Sequence, residues 1–580
     1  MTTIARTKSR ESKKVGIGTG TGKKVYTIGV DFGTGSARAV LAETASGKVI
    51  ADAVCEYPHG VMDRCIEACA CPLPSESAFQ DPQDYLLAFR TTVSRVIRDS
   101  GIAPEDILGV GIDFTSCTLL PVREDGTPLC FDETFCHEPQ AYVKLWKHHA
   151  AAAEADDFNA ALRKYAPALL EQFGGCTSCE WAFPKIIETL RRAPKVYQEA
   201  TYFIEAGDYL AWMLTGRQTR SYVLASYKFL YTPEGGFPPT EVFTSIDQRL
   251  GNIEEKLKAS LVYTGEAAGT VSETARARFG VPEGDPFLLP GTVVSCPEPD
   301  AHVAAPALHM TKEGDMFAIF GTSSNYMLIS RDFRIIPGIC GVVKDGLTPG
   351  FCAYESGLCC FGDHFAWGIK ALGTSAYQKE ADERGLPLIG LMNEKAAALR
   401  PGESGLLALN WWNGNRNILV DPQLSGLFIG MTLHTRPEEM YRALVEANAF
   451  GTRVILENFE KHGVRIGRLA VAGGISAKSP FVMQIMADVL GLPLHVSGYL
   501  HSSALGSAIY AAVAAGIYPS LEEACDVMAD PCDTVYTPDP AAHAVYDRLY
   551  REYLRLHDTF GRGENPVMHT LRQIAAGSKA

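Results

Sequence analysis

Short apolar segments recur along the chain, and each one ends in small or acidic residues. VYTIGV runs into Asp31, ILGVGI into Asp113, MFAIF into Gly321, and RLAVA into Gly473. Continuous apolar runs of this length are typical of strands that are buried on both faces of an α/β sheet. Because ligands of such sheets bind at the carboxyl ends of the strands, the pattern predicts a functional site at these positions.

Amphipathic segments with helical spacing lie between the predicted strands. DPQDYLLAFRTTVSRVIRDSG begins with an Asp-Pro pair, PEEMYRALVEANAFGTRVILENFEKHG ends at a glycine, and SPFVMQIMADVLG begins at a serine. These are typical start and stop signals of helices. The alternation of strands with helices predicts the α/β class.

Two of the strand-loop units resemble each other. YTIGVDFGTGS lies near residue 30 and MFAIFGTSSNYML near residue 320, which indicates an internal duplication. A chain of 580 residues also exceeds what one core usually supports, so two domains are expected. With the boundary in GTVVSCPEPD, we expect a flexible tail over 1–24, domains over 25–296 and 297–562, and a C-terminal tail over 563–580.

Two glycine-rich runs flank the first predicted strand. The run at residues 18–22 has no strand before it, and Lys24 stands where a phosphate loop of the P-loop type has Ser or Thr. The run at residues 33–36 follows VYTIGV, so a strand can aim its backbone N–H groups at an anion. We therefore predict a phosphate hairpin at residues 33–36 and a tail at residues 18–22.

Charge and cysteine usage narrow the classes of function. A net charge of −14 argues against a nucleic-acid-binding surface, and the longest apolar runs are too short to span a membrane. The sixteen cysteines lack the paired spacing of a zinc site, and the basic N-terminal segment has no secretory core. We expect a cytoplasmic enzyme with reduced thiols and a small-molecule substrate.

The longer motifs resemble those of one family. These motifs include GIDFTSCTLLPV, KLWKHHAA, SYKFLY, DAHVAAPA, FGTSSNYML, YESG, LNWWNGNR and AVAGGISAKSPFVMQIMAD. They are similar to the ribulokinases among the FGGY carbohydrate kinases, and they extend from about residue 25 to 560. The resemblance implies two ribonuclease-H-like, actin-like ATPase domains with a catalytic cleft between them. It also implies ATP-dependent phosphorylation of the 5-hydroxyl of L-ribulose in arabinose breakdown.

The resemblance assigns the catalytic base to Asp300, in PEPDAH. A primary alcohol is a poor nucleophile, and a carboxylate within hydrogen-bond reach can accept its proton as the phosphoryl group arrives. An alternative interpretation is that Asp300 caps a helix over AHVAAPAL. Both roles are compatible with the spacing alone.

The resemblance also implies a set of sugar-binding residues. Lys228 in SYKF would donate to ketose oxygens, Glu355 in YESG would accept from hydroxyls, and the backbone N–H of Ser116 would add a donor beside Asp300. Trp146 in KLWKHH would stack on the sugar and offer its Nε1–H. By spacing alone, the charged pair would be a solvated surface feature and the tryptophan a core residue.

The nucleotide and its metal are assigned to the strand ends. The residues expected to contact phosphate or adenosine are Gly33, Thr34, Gly35, Ser36, Gly321, Thr322, Gly473 and Gly474. Phosphoryl transfer from ATP requires Mg²⁺, and Asp31 is the expected ligand, with Asp113 as a second choice.

Two other interpretations of the function remain open at this stage. The first is a related FGGY kinase that acts on D-ribulose, D-xylulose or another polyol, because specificity for sugar epimers rests on a few hydrogen bonds. The second is an actin-like ATPase that switches conformation and phosphorylates no sugar. A homodimer is expected from the base rate for enzymes of this kind.

Overall fold

The computed structural model describes residues 24–69 and 71–577. The predicted N-terminal tail therefore lies, except for Lys24, outside the described residues. Within the described ranges, every helix is too short or too polar to cross a membrane.

Strands alternate with helices along the described chain. In the first half the strands are β1 (Tyr26–Phe32), β2 (Ser36–Glu43), β3 (Val49–Glu56), β4 (Cys65–Ile66), β5 (Cys71–Pro72), β6 (Phe79–Gln80), β7 (Ile107–Phe114), β8 (Leu119–Val122), β9 (Val143–Lys144), β10 (Tyr202–Glu205), β11 (Thr219–Ser221), β12 (Ser260–Val262), β13 (Ala267–Thr270), β14 (Val293–Ser295) and β15 (Glu298–Pro299). In the second half they are β16 (Asp315–Phe320), β17 (Ser324–Ser330), β18 (Gly341–Lys344), β19 (Cys352–Leu358), β20 (Leu407–Leu409), β21 (Leu427–Ile429), β22 (Arg468–Ala472), β23 (Leu494–Val496) and β24 (Thr534–Tyr536).

The helices include the three that the sequence predicts. In the first half they are α1 (Pro82–Ser100), α2 (Ala152–Tyr165), α3 (Pro167–Gln172), α4 (Ala182–Arg192), α5 (Pro194–Glu199), α6 (Ala206–Thr215), α7 (Tyr222–Lys228), α8 (Thr240–Thr244) and α9 (Ala275–Arg278). In the second half they are α10 (Ala304–Ala307), α11 (Gly362–Leu372), α12 (Ser375–Glu383), α13 (Leu388–Ala397), α14 (Pro437–Lys461), α15 (Gly474–Lys478), α16 (Pro480–Leu490), α17 (Ser502–Ala514), α18 (Leu521–Met528), α19 (Pro540–Gly561) and α20 (Val567–Gly577). The predicted helices are confirmed as α1, α14 and α16, each with proline at its start.

Six strands of each seven-stranded sheet have the same spatial order and relative directions. In the first sheet β1 pairs antiparallel with β2 and parallel with β7. In the second sheet β16 pairs antiparallel with β17 and parallel with β22. The outer strands repeat as well, because β14 and β23 are parallel to β7 and β22, and β13 and β24 run antiparallel at the edge. The repeat confirms the predicted duplication and the α/β class.

Both central strands of the first sheet are buried, as their apolar sequences predict. All seven residues of β1 are buried, with α1 on one face of the sheet and α17 on the other. Glycines of the strands allow α17 to approach closely: a Cβ on Gly29 would lie 1.8 Å from the Ala504 carbonyl oxygen, and one on Gly111 would lie 2.0 Å from that of Ser507. A helix from the C-terminal half therefore packs on the N-terminal sheet.

The ends of the predicted domains have structure of their own. Strand β15 still pairs with β7 of the first sheet, directly after the predicted boundary at residue 296. In the predicted C-terminal tail, α20 buries Met568, and His569 contacts Asp421 at 2.7 Å. Helix α17 belongs to the C-terminal half in sequence but packs on the first sheet. The domain boundaries therefore stay predictions.

Candidate active site

Three acidic residues meet at the carboxyl edge of the first sheet. Asp31 on β1 lies opposite Asp113 on β7 in the parallel register. Strand β15 continues on the other side of β7, and the backbone N–H of Asp300 donates to the carbonyl of Phe114 at 2.9 Å. The strand ends predicted to carry the site are thus brought together with the predicted base.

The two neighbouring aspartates have different partners. Arg38 donates to Oδ2 of Asp31 at 3.0 Å, and Ser507 of α17 donates to Oδ2 of Asp113 at 2.6 Å. Burial and the carboxylate of Asp31 raise the pKa of Asp113 well above its usual value. Its Oδ1 is buried without a hydrogen-bond partner. A cation beside both carboxylates would relieve their repulsion, so these residues fit a hard divalent ion.

In the described ranges, sets of three or more His, Cys, Asp or Glu side chains arranged as a metal site are absent. Two carboxylates alone do not complete the six oxygen ligands of Mg²⁺. The remaining ligands would have to come from phosphate oxygens and water.

Asp300 has the surroundings of a base. It is half-buried, and burial together with the carboxylate of Asp31 raises its pKa to about 7, although Arg38 acts in the opposite direction. Its Oδ1 accepts the N–H of Ala301 at 2.7 Å. Helix α10 begins only at Ala304, with Val303 as its N-cap residue, so the interpretation of Asp300 as a helix cap is wrong.

Lys228 and Glu355 form an ion pair between the two halves of the chain. Nζ of Lys228, at the end of α7, lies 3.0 Å from Oε2 of Glu355 on β19. The residues are only 9% and 6% exposed, so the interpretation as a solvated surface pair is wrong. Burial by itself raises the pKa of Glu355, but Lys228 and His302 hold it below the usual range. Asn325 donates to its other oxygen at 3.2 Å.

Trp146 lies next to the first hairpin. It is half-buried, and its Nε1–H donates to Oγ1 of Thr34 at 3.0 Å. The indole donor expected for the sugar is therefore already bound to a residue predicted to contact phosphate. Ser116 is half-buried in the loop after β7, followed by Cys117 with a φ of +62°.

The two predicted phosphate hairpins are closed by different turns, with an i to i+3 hydrogen bond in the first and an i to i+2 hydrogen bond in the second. The N–H of Gly33 donates to the carbonyl of Ser36 at 3.0 Å, and the N–H of Gly321 donates to that of Ser323 at 3.0 Å. Gly321 and Thr322 are exposed at the tip of the second hairpin. Their carbonyls accept N–H groups from the first residues of α11, which fixes that hairpin against a helix.

Gly473 and Gly474 lie beside the second hairpin. Strand β22 runs parallel to β16, with Ala472 opposite Ile319. Both strands therefore end at the same edge of the sheet. Gly473 has a φ of +106°, and a Cβ there would lie 2.5 Å from the Phe320 carbonyl oxygen. Only glycine fits this approach.

A second ion pair between the halves was missed by the sequence analysis. Arg416, in LNWWNGNR, lies 3.9 Å from Glu180, whose carboxylate also contacts His149 at 2.9 Å. Burial opposes ionisation of Glu180, but Arg416 and His149 lower its pKa to about 2. The motif around Arg416 was noticed in the sequence, but only the fold places Glu180 opposite it.

Comparisons with known proteins agree with this architecture. The profiles of the FGGY family of carbohydrate kinases match over 26–292 for the N-terminal domain and over 316–515 for the C-terminal domain. The chain is 44% identical to a ribulokinase from Bacillus licheniformis, covering 93% of this chain and 97% of that protein. It is 40% identical to a ribulokinase from Mycolicibacterium smegmatis, with 96% and 98% coverage.

Solved structures share the fold at low sequence identity. A xylulose kinase from Rhodospirillum rubrum has a TM-score of 0.75 at 22% identity, covering 94% of this chain and all of that one (100%). A gluconate kinase from Lactobacillus acidophilus has a TM-score of 0.76 at 18% identity, with 93% and 99% coverage. The chain belongs to the FGGY family of carbohydrate kinases.

Proposed function

We propose that this protein transfers the γ-phosphoryl group of ATP to the 5-hydroxyl of L-ribulose, giving L-ribulose 5-phosphate and ADP in the breakdown of L-arabinose. Relatives that are called ribulokinases cover nearly the whole chain at 40–44% identity. The observation that carries the proposal is the position of Asp300 at the carboxyl edge of the first sheet, within electrostatic reach of both Asp31 and Glu355.

Asp300 is proposed as the general base. With a pKa of about 7 it is partly ionised at neutral pH, and it can accept the proton of the 5-hydroxyl as that oxygen attacks the phosphorus. Lys228 is proposed to donate to ketose oxygens and Glu355 to accept from hydroxyls. Lys228 and Glu355 balance each other's charge. The hydroxyls of a bound sugar can therefore exchange their water partners for these two side chains without leaving either charge unpaired.

The backbone N–H of Ser116 and the ring of Trp146 would complete the sugar site. Trp146 can present an aromatic face to the sugar while its Nε1–H stays bound to Thr34. This arrangement would link occupation of the sugar site to the position of the first hairpin.

The two hairpins are proposed to hold the phosphates from opposite sides. Residues 33–36 and 321–322 supply backbone N–H groups and the hydroxyls of Thr34, Ser36 and Thr322. Gly473 and Gly474 would let adenosine lie against the start of α15. Bound Mg²⁺ would neutralise charge on the β- and γ-phosphate oxygens, with Asp31 and Asp113 as its protein ligands.

We also propose a cytoplasmic location and domains over residues 25–296 and 297–562. Buried cysteines such as Cys117, Cys296 and Cys525 are thiols, which suits a reducing compartment. The repeated sheet topology supports one domain around each sheet. A homodimer remains an expectation from base rates.

The test is release of ADP from Mg-ATP by the purified protein with L-ribulose, D-ribulose, D-xylulose, L-xylulose, glycerol or no sugar. We expect strong dependence on L-ribulose and a loss of roughly 10²-fold or more in Asp300→Asn, because a positioned base contributes about that much. Asp315→Asn is the matched control, since Asp315 is buried and accepts two backbone N–H groups away from the site.

Two other outcomes have definite meanings. Preference for D-ribulose, D-xylulose or glycerol would replace L-ribulose by that substrate and keep the kinase assignment. ADP release that is indifferent to every sugar would indicate an ATPase that switches conformation.

A further inference from the structure

Two buried ionisable side chains bind the backbone of Cys117, in a loop of the proposed sugar site. The backbone N–H of Cys117 donates to Oε1 of Glu205 at 2.9 Å, and its carbonyl accepts from Nζ of Lys185 at 2.7 Å. Cys117 follows Ser116, the residue whose N–H is proposed to bind the sugar. Hydrogen bonds therefore fix both the N–H and the carbonyl of Cys117.

Lys185 also binds the segment that carries Trp146. Its Nζ donates to the carbonyl of Leu145 at 2.7 Å and lies 3.4 Å from the carbonyl of Trp146. With Cys117, three carbonyls surround the three N–H groups of the ammonium. Lys185 is fully buried on α4, so a rigid helix joins two loops that are distant in sequence.

The loop after β7 needs such support. Cys117 has a φ of +62°, a conformation that residues with a Cβ rarely adopt unless neighbouring contacts impose it. The hydroxyls of Thr115 and Thr118 also hydrogen-bond across the turn at 2.7 Å. Glu205 ends β10, which pairs with β8 directly after the loop, so its position is set by the sheet.

We propose that Lys185 and Glu205 are positioning residues for the sugar: together they hold the Ser116 N–H and the Trp146 ring in the geometry that binds the ketose. The proposal rests on the proposed function of the site. Neither side chain contacts the sugar, since both are buried behind the loops. Their effect extends to Thr34 of the first hairpin through its hydrogen bond with Trp146.

A buried lysine outside the site provides the matched control. Lys256 is 6% exposed, lies in the same half of the chain, and donates to the carbonyl of Ala200 at 2.5 Å. Lys185→Met and Lys256→Met each remove a buried ammonium from backbone carbonyls. Only the first removes it from the loops of the sugar site.

The first measurement is amide hydrogen exchange, which needs no substrate. We expect residues 115–118 and 144–147 to exchange about tenfold faster or more in Lys185→Met than in wild type, because a hydrogen bond from a charged group is worth at least that factor. Lys256→Met should leave both segments unchanged. Unchanged exchange in Lys185→Met would overturn the proposal, whether or not L-ribulose is the substrate.

The second measurement separates positioning from general stability. In Lys185→Met we expect KM for the ketose to rise about tenfold, with a smaller change in kcat, because the lost contacts act through sugar binding. Glu205→Gln keeps an acceptor for Cys117 and should resemble wild type, whereas Glu205→Ala should raise KM. If Lys185→Met does not fold, equal KM values in the two Glu205 variants would overturn the proposal.

The same assays distinguish a failure of this inference from a failure of the proposed function. Wild type that turns over another ketose but not L-ribulose would refute the proposed substrate, and KM for that ketose would then be compared among the variants. Wild type that is active on L-ribulose, with unchanged exchange and KM in the variants, would refute the positioning role alone.

Discussion

At the scale of single residues, Asp300 shows how surroundings decide chemistry. An aspartate in water has a pKa near 3.9, so its carboxylate is a weak base. Burial and the nearby carboxylate of Asp31 disfavour the charged form and raise the pKa of Asp300 to about 7. The same side chain thereby becomes a base suited to neutral pH.

This pKa predicts how the rate depends on pH. The base must be deprotonated to act, so kcat/KM should be highest above about pH 7 and fall roughly tenfold per unit below it. The measurement is kcat/KM for the ketose from pH 5 to 9 at saturating Mg-ATP. A profile that stays level down to pH 5 would contradict the assignment of Asp300 as the titrating base.

Trp146 allows a second prediction at this scale. Trp146→Phe keeps an aromatic face but removes the donor that binds Thr34. Since one such hydrogen bond contributes about 1 kcal/mol, we expect KM for ATP to rise roughly fivefold and KM for the ketose to change less.

Trp212→Phe, in a buried position on α6, is the control for loss of an indole elsewhere. Steady-state kinetics with each substrate varied in turn would measure both constants. A larger change in KM for the ketose than in KM for ATP would show that the indole N–H serves the sugar.

At the scale of elements, the contact between α17 and the first sheet connects packing to the site. Gly29, Gly109 and Gly111 lie on strands under this helix, and each added Cβ would come within 2.8 Å of a helix carbonyl. From the same helix, Ser507 donates to Asp113. The glycines therefore set the distance between Asp113, a candidate metal ligand, and Ser507, its hydrogen-bond partner.

We expect Gly111→Ala to lower the free energy of unfolding by about 1–3 kcal/mol, the usual cost of forcing extra volume into a packed interface. The measurement is the urea midpoint of unfolding. Gly498→Ala is the control, because its added Cβ would meet no heavy atom within 4 Å. Equal midpoints for the two variants would show that α17 shifts without cost.

At the scale of the whole molecule, several ion pairs connect the two halves of the described chain. Lys228 with Glu355 and Glu180 with Arg416 each join the N-terminal half to the C-terminal half. Arg416 is still 42% exposed, and its distance of 3.9 Å from Glu180 leaves room to tighten. A closing motion of the two halves would shield the transferred phosphoryl group from water.

We expect the radius of gyration to decrease when ATP and ketose bind together. Small-angle scattering of Asp300→Asn with Mg-ATP and L-ribulose would measure it, because slow turnover preserves the complex. Each ligand alone serves as the control. An unchanged radius with both ligands would argue against large closure.

Much of this architecture was predictable because its signals are local. Strand ends at Asp31, Asp113, Gly321 and Gly473 follow from apolar runs, and α1, α14 and α16 follow from periodicity and proline starts. The two strand-loop units resemble each other in local sequence, and in the structure each unit lies at the same place in the strand order of its sheet.

The sequence by itself determined the class of fold, the duplicated plan and the positions where strands end, since burial pattern and turn chemistry depend on near neighbours along the chain. Only the tertiary structure decided which side chains meet. Lys185 with Cys117, Trp146 with Thr34, and Ser507 with Asp113 are distant in sequence. Such partners are selected by the packing of helices on sheets, and that packing also removes water and so sets the pKa of the buried groups.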